Sequence, residues 1–309
     1  MQTVLITGGS GLVGKALTQK LLEKGYAVIV LTRKLPTGDL LEKKGISYAL
    51  WDVNNQTIDI AAVKKADHII HLAGAGVVDK KWTTAYKKDI QDSRTKSSEL
   101  IIDTLKNNSN KVKAVVSASA IGWYGPDKFP IKAFVEKDLP DNSFLGETCR
   151  LWEESIEPVQ QLGKRLVKFR TGIVLSNDGG ALVEFKKPLQ FCVASILGTG
   201  KQVVSWIHID DLCRLYIDAI ENNNLHGSYN AVAPIPVTNK ELTVALAKEM
   251  RGNYFISAYV PEFILKIMLG DRSIEVLKSA TVSCEKIKQT GFTFLYPSIE
   301  TALKQLVKK

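Results

Sequence analysis

A chain of 309 residues with 45% hydrophobic and 24% charged side chains has the composition of an ordinary soluble globular protein and enough length to bury a full core. Its net charge of +9 is spread over separate pairs (Lys43-Lys44, Lys64-Lys65, Lys80-Lys81, Lys87-Lys88, Lys186-Lys187) without an aromatic-interleaved stripe, so nucleic acid is not an expected partner. Cys149, Cys192, Cys213 and Cys284 are too scattered for a zinc site or a disulfide framework, and no apolar run is long enough to cross a bilayer. A cytoplasmic location, no membrane partner and no metal are expected.

The first strand, Val4–Thr7, begins almost at Met1 and runs straight into glycines, so a strand and not a signal peptide is expected there. A glycine-rich turn follows, then a helix from about Leu12 to the terminating Gly25. Strands are predicted at Val28–Leu31, Ser47–Trp51, His68–Leu72, Ala114–Ser117 and Leu166–Arg170, with helices at about Thr83–Asn107 and Leu145–Gln161. Alternation of short apolar strands with longer helical stretches predicts an α/β fold: a Rossmann doubly wound parallel sheet with a small mixed C-terminal substrate lobe. Past residue 175 the pattern loosens. Asn177-Asp178-Gly179-Gly180 opens a mixed stretch, and Trp206–Leu212 leads into a helix of about ten residues. Asn230–Pro236 reads as strand and loop, and Asn239–Arg251 as a helix. The tail from Pro261 holds short helical pieces and the turn-like Thr290–Phe294. The expected division is a Rossmann domain over 1–230, with a Gly-rich excursion at 176–205, and a lobe over 231–309.

Directly after the first strand stands Thr7-Gly8-Gly9-Ser10-Gly11-Leu12-Val13-Gly14. Gly8 permits the tight strand-to-helix turn, Gly11 lets backbone approach a diphosphate, and Gly14 lets the helix pack closely on the strand. The diphosphate would rest on free N–H groups at the helix N-terminus. A merely structural glycine turn is the competing reading, and the setting between strand and helix favours a dinucleotide. At the tip of the second strand, Thr32 stands where an NAD-selective carboxylate would be, and Arg33 and Lys34 follow. Two cations suit a 2′-phosphate, so NADP is the expected cofactor; otherwise they are solvated loop residues.

Several motifs together resemble the extended short-chain dehydrogenase/reductase superfamily: the glycine spacing, His71-Leu72-Ala73-Gly74 and Trp206-Ile207-His208-Ile209-Asp210-Asp211. Ser117–Gly125, Arg170–Leu175, Gly179–Leu182, Asn230–Pro234, Leu269–Asp271 and Thr290–Pro297 narrow the resemblance to an atypical branch. That branch is the epimerase-like group described as nucleoside-diphosphate-sugar epimerases or SulA-like cell-division-inhibitor homologues, with a short C-terminal domain. The resemblance implies that Leu72, Ala73 and Gly74 pass over the adenosine ribose, that Asp52 lies on the adenine side, and that Val174 flanks the nicotinamide. It also places Arg94 on a helix that faces the cofactor, where its guanidinium either holds a phosphate or forms a surface ion pair.

Usual members of the superfamily carry a serine and a Tyr-x-x-x-Lys, the tyrosine exchanging a proton and the lysine lowering its pKa and holding the ribose. Ser119 matches the serine. Leu145 and Cys149 fall where tyrosine and lysine would be, so an active enzyme needs another acid. Tyr124, close behind Ser119, is the candidate carried forward, with a structural role as its alternative. Glu147 competes with a solvent-facing carboxylate, and His208 with a satisfied buried imidazole. Trp82 and Trp206 read as packing aromatics, Cys149 as a buried thiol, and one of Asp210-Asp211 as a helix cap. The resulting expectation is an NADP-dependent oxidoreductase or epimerase-like enzyme acting on a nucleotide sugar or a carbonyl compound. The alternative is a non-catalytic NADP-binding regulator, as the SulA-like label suggests for cell division. By analogy with relatives, a homodimer would form through the two long helices.

Overall fold

Leu5 faces one side of the central sheet and its neighbours Val4 and Ile6 the other, and all three are fully buried. Side chains alternate across a strand, so burial at every position requires cover on both faces. The computed structural model describes residues 1–36 and 45–307, and the Lys43-Lys44 pair lies outside them. In chain order the first half forms β1 (Thr3–Thr7), α1 (Leu12–Glu23), β2 (Ala27–Thr32), β3 (Ile46–Asp52) and β4 (Thr57–Ile58). It continues through α2 (Ile60–Lys65), β5 (His68–His71), α3 (Thr84–Asn107), β6 (Ala114–Ala120), α4 (Phe144–Ile156) and β7 (Arg165–Thr171).

Then come β8 (Ile173–Leu175), α5 (Ala181–Leu189), β9 (Val193–Leu197), β10 (Val203–Val204), β11 (Trp206–His208), α6 (Ile209–Glu221) and β12 (Gly227–Ala231). The chain ends with β13 (Val237–Thr238), α7 (Asn239–Arg251), β14 (Ile256–Val260), α8 (Glu262–Leu269), α9 (Ser273–Leu277), α10 (Glu285–Lys288) and α11 (Ile299–Val307).

Among the described residues the main sheet runs β12-β7-β6-β5-β1-β2-β3-β4. Every neighbouring pair is parallel except β3 and β4. The order reverses beside β1, and the crevice of an open α/β sheet opens there, beyond the carboxyl ends of the strands. Leu17 and Leu21 of α1 and Leu212, Leu215, Tyr216 and Ile220 of α6 cover the face that holds Val4, Ile6, Val28 and Val116. Ala62 and Val63 of α2, Leu100 and Leu105 of α3 and Ile156 of α4 cover the opposite face. A third core joins Leu175, Leu182, Leu189 and Trp206 to Val237, Leu242, Leu246 and Leu303, so side chains from 175–206 pack with those from the end of the chain.

Most strands run one to three residues beyond the bounds read from sequence, and four further boundaries differ as follows. The helix expected to reach Gln161 leaves α-geometry after Ile156 and continues as a 3-10 turn, Glu157–Leu162, because Pro158 has no N–H to continue the ladder. Of the strand and loop expected over Asn230–Pro236, the strand starts earlier, as Gly227–Ala231, and ends ahead of Pro234. The strand expected to reach Leu72 stops at His71, whose successor's N–H turns aside to Thr7. The helix after the Trp206–Leu212 motif begins inside it, at Ile209.

Candidate functional site

At the end of β1 the backbone is packed too tightly for side chains. Gly8 sits at φ +69°, and a Cβ there would lie 2.9 Å from the carbonyl carbon and oxygen of Leu72. A Cβ on Gly14 would press on the Gly8 carbonyl oxygen and come within 2.6 Å of Gly9 Cα. Gly11 caps α1 with no side-chain hydrogen bond, and the first turn carries no acidic residue. The free N–H groups of that turn, around Leu12 and Val13, therefore present an uncompensated donor cluster at the positive end of the helix dipole, with Ser10 exposed beside it. Such a set fits a diphosphate.

Thr7 joins this cradle to the next strand. Its Oγ1 accepts from the N–H groups of Leu72 (3.0 Å) and Ala73 (3.1 Å). Its own hydroxyl then has only His71 Nδ1, at 2.8 Å, to donate to. Nδ1 is thus the acceptor and Nε2 carries the hydrogen, directed at Ser97 and Ser98 Oγ (3.2 and 3.3 Å), both of which donate to the Arg94 carbonyl. Burial and the nearby Arg94 charge push the His71 pKa down to about 3, so the imidazole stays neutral and acts as a rivet.

On the other side of β1, Arg33 and Lys34 are exposed at the tip of β2, and Thr32 spends its hydroxyl on the Lys34 carbonyl at 2.8 Å. Asp52 closes the turn after β3, accepting from Asn54 N–H at 2.9 Å and Asn55 Nδ2 at 2.8 Å. Hydrogen bonds from Asn55 hold its carboxyl below the usual carboxylate range, and the Arg33 charge acts in the same direction. Val174 is half-buried in β8, paired with Ile207. A Cβ on Gly179 or Gly180 would touch the Leu12 side chain, at 3.6 and 3.3 Å, so the second glycine-rich turn crosses directly over the start of α1.

Arg94 is 9% exposed, which excludes the surface ion pair allowed by the sequence. Its Nη1 donates to the carbonyls of Ala75 (3.0 Å) and Ile90 (2.8 Å), and its guanidinium lies 4.8 Å from the centre of the Trp152 ring. A Cβ on Gly74 would come within 3.0 Å of Arg94 Cζ, which ties the glycine to the guanidinium.

Ser119 and Tyr124, proposed from sequence as catalytic, are withdrawn from the crevice. Ser119 is 3% exposed and donates to Glu153 Oε1 at 2.8 Å. Tyr124 has no exposed surface; its hydroxyl donates to Asn230 Oδ1 (2.7 Å), accepts from Arg170 Nη1 (3.1 Å), and is pushed up to about 12 by burial. Neither group is placed to meet a substrate. Both belong to a cluster around Glu153, which pairs with Arg170 (2.7 and 3.1 Å) and Lys168 (3.4 Å) and accepts from Ser228 (2.9 Å). Those partners outweigh the cost of burial and hold the Glu153 carboxyl below its ordinary value.

The remaining candidates resolve into structural roles. Leu145 and Cys149 are both buried, and burial pushes the Cys149 thiol up to about 12. Glu147 pairs with Arg150 on the surface. His208 accepts from Asp210 N–H at 3.0 Å through Nδ1, so its Nε2 hydrogen goes to Gln305 Oε1 at 2.9 Å: a satisfied buried histidine. It also corrects the expected cap, since the imidazole, not an aspartate, caps α6. Asp211 instead accepts from Leu295 and Tyr296 N–H (both 2.9 Å) and pins the tail turn. Trp206 is fully buried, and Trp82 packs edge-on against Phe144.

His71 and Arg170 stand within the motifs that carry the resemblance, but the sequence assigned no role to them or to Glu153. A signal for Arg170 existed: Lys168 and Arg170 share one face of a strand whose other buried residues, Leu166, Val167 and Phe169, are apolar, and a buried cation needs a carboxylate. Nothing local names Glu153 as that partner.

Residues 4–151 match the model of the NAD dependent epimerase/dehydratase family, and residues 260–306 match a domain of unknown function, DUF1731. An epimerase family protein of Staphylococcus aureus (strain NCTC 8325) is 35% identical over 309 residues, all of both chains. The crystal structure of a human epimerase family protein with NADPH superposes with a TM-score of 0.86 at 26% identity, over 99% of each chain. A nucleoside-diphosphate sugar epimerase from Corynebacterium glutamicum gives 0.77 at 30% identity, over 99% of this chain and 58% of that one.

Proposed function

From the premise that the chain belongs to the epimerase family, we propose that it is an NADP-dependent, epimerase-like oxidoreductase. The observation that carries this reading is the cradle after β1, where Gly8 and Gly14 leave no space for a Cβ and the first turn of α1 keeps its donors free. A diphosphate supplies the acceptors those donors lack. Arg33 and Lys34, exposed at the tip of β2, hold the 2′-phosphate, while Asp52 and the Leu72-Ala73-Gly74 backbone border the adenosine half. The NADPH-bound human relative supports the choice of NADP over NAD.

Bound NADPH supplies a hydride, and the protein supplies orientation and exclusion of water. The chain's own groups bind and position. The neutral His71 and Thr7 fix the backbone that faces the cradle, and the Gly179-Gly180 turn closes over Leu12. The proton must come from outside the usual pair of positions, since Leu145 has no proton to give and the Cys149 thiol is pushed up to about 12. A nucleotide sugar or a carbonyl compound is the proposed substrate class.

Titration of NADPH fluorescence tests the cofactor. The wild type is expected to prefer NADPH to NADH, and Arg33→Ala to erase most of that preference. A wild type that binds neither, or that prefers NADH, overturns the reading. Full engagement of Ser119 and Tyr124 in the Glu153 cluster favours one second reading, a non-catalytic NADP-binding regulator. Oxidation of bound NADPH across a panel of carbonyl compounds and nucleotide sugars separates the two: turnover supports the enzyme, tight binding without turnover the regulator.

A further inference from the structure

Arg94 is nine-tenths buried, yet among the described residues no carboxylate bonds to it. A buried charge without a counter-charge is costly, and native chains pair such groups or keep them for a ligand. Nη1 spends its two hydrogens on the Ala75 and Ile90 carbonyls. Nε and Nη2, the edge that takes planar anions two atoms at a time, have no acceptor among the described residues. Trp152 backs the guanidinium at 4.8 Å and Gly74 crosses close against it, so the group is held in one orientation.

The sheet order fixes which part of a bound dinucleotide this edge would meet. The diphosphate cradle lies at β1, and the adenosine half runs over β2 and β3, where Arg33 and Asp52 stand. The other half must run over β5 and β6, the strands that lead into α3 and α4. On that side α4 turns Leu145 and Cys149 towards Gly122, where a Cβ would meet them at 3.4 and 3.5 Å. Neither of those side chains carries a charge, and Glu153, one turn on from Cys149, is taken by Arg170. Two cations act on Cys149: Lys278, already paired with Glu275 at 2.7 Å, and Arg94.

We propose that Arg94 grips the nicotinamide half of bound NADPH, its Nε–Nη2 edge taking the phosphate oxygen and ribose hydroxyl on that side, and so supplies from α3 the cation absent from position 149 of α4. Arg94 is then a positioning residue for the nicotinamide. The inference rests on the NADPH reading given under Proposed function.

The test compares two ligands, NADPH and adenosine 2′,5′-bisphosphate, which carries the adenosine half alone. Arg94→Met should weaken NADPH by about 10- to 100-fold while leaving the bisphosphate within about twofold of wild type. Arg94→Lys keeps the charge without the fork and should fall between. Arg94→Met/Cys149→Lys, which moves the cation to α4, should regain NADPH affinity. NADPH affinity unchanged in Arg94→Met, an equal loss for both ligands, or a folded double variant that stays at the Arg94→Met level overturns the inference. A wild type that binds neither ligand instead overturns the NADPH reading itself. Unfolding temperatures of the unliganded variants establish that each is folded, and where Arg94→Met is not, Arg94→Lys carries the same two-ligand comparison.

Discussion

Two buried arginines pack against α4, one at Trp152 and one at Glu153, and their surroundings differ in one respect. Arg170 is 3% exposed and meets the Glu153 carboxylate at 2.7 Å, the Tyr124 hydroxyl at 3.1 Å and the Trp123 ring at 3.6 Å. Arg94 is 9% exposed and meets two carbonyls and the Trp152 ring, with no carboxylate among the described residues. The first is complete without a ligand and holds β6, β7, β12 and α4 together. The second has no counter-charge among the described residues and lies against Gly74, past the end of β5. Burial of a cation marks a site only when the fold leaves it unanswered.

The largest expected effect falls on the complete cluster. Glu153→Ala leaves Arg170 buried without its carboxylate and Lys168 with Glu157 alone, and should lower stability by about 3–5 kcal/mol in denaturant titration. A loss below about 1 kcal/mol would make the cluster no more structural than the Arg94 site.

The neutral His71 gives the next effect. Its folded pKa, about 3, lies below the unfolded value, so its contribution is complete above the unfolded pKa and is lost as pH falls towards 3. From an unfolded value near 6.5, the loss should reach on the order of 2 kcal/mol by pH 5. Because Arg94 is a cause of that depression, Arg94→Met should soften the acid loss. Denaturation midpoints at pH 7 and pH 5 measure both, and identical midpoints would place His71 in a far wetter site.

A smaller effect belongs to Tyr124→Phe, which removes one hydroxyl from the Arg170 cluster and should cost about 1–2 kcal/mol. Its NADPH affinity should match wild type; a drop in affinity or turnover with stability intact would return Tyr124 to the crevice. Smallest is the apo stability of Arg94→Met, expected within about 1 kcal/mol of wild type, since relief from burying a lone cation offsets two lost hydrogen bonds. A loss as large as that of Glu153→Ala would erase the contrast between the arginines.

The strand–turn–helix backbone after β1 was legible from the chain alone. The Thr7–Gly14 run, set between an apolar strand and an amphipathic helix, marks a close-packed turn because glycine there answers a steric demand that acts within a few residues. The catalytic half was not. Ser119 lies near the end of β6 and Tyr124 just past the 3-10 turn that follows, and nothing local says which way their hydroxyls face. Their partners, Glu153 and Asn230, lie 34 and 106 positions away.

The sequence by itself determined the strand–turn–helix cradle, the doubly wound α/β class and the absence of tyrosine and lysine at 145 and 149, because these depend on local sterics, periodicity and residue identity. Tertiary structure alone decided that Tyr124 is sealed in the core, that His71 is neutral with its hydrogen on Nε2, and that one arginine finds a carboxylate while the other waits. Those outcomes depend on which groups burial brings within about 3 Å, and a charge removed from water is governed by its neighbours in space, not in sequence.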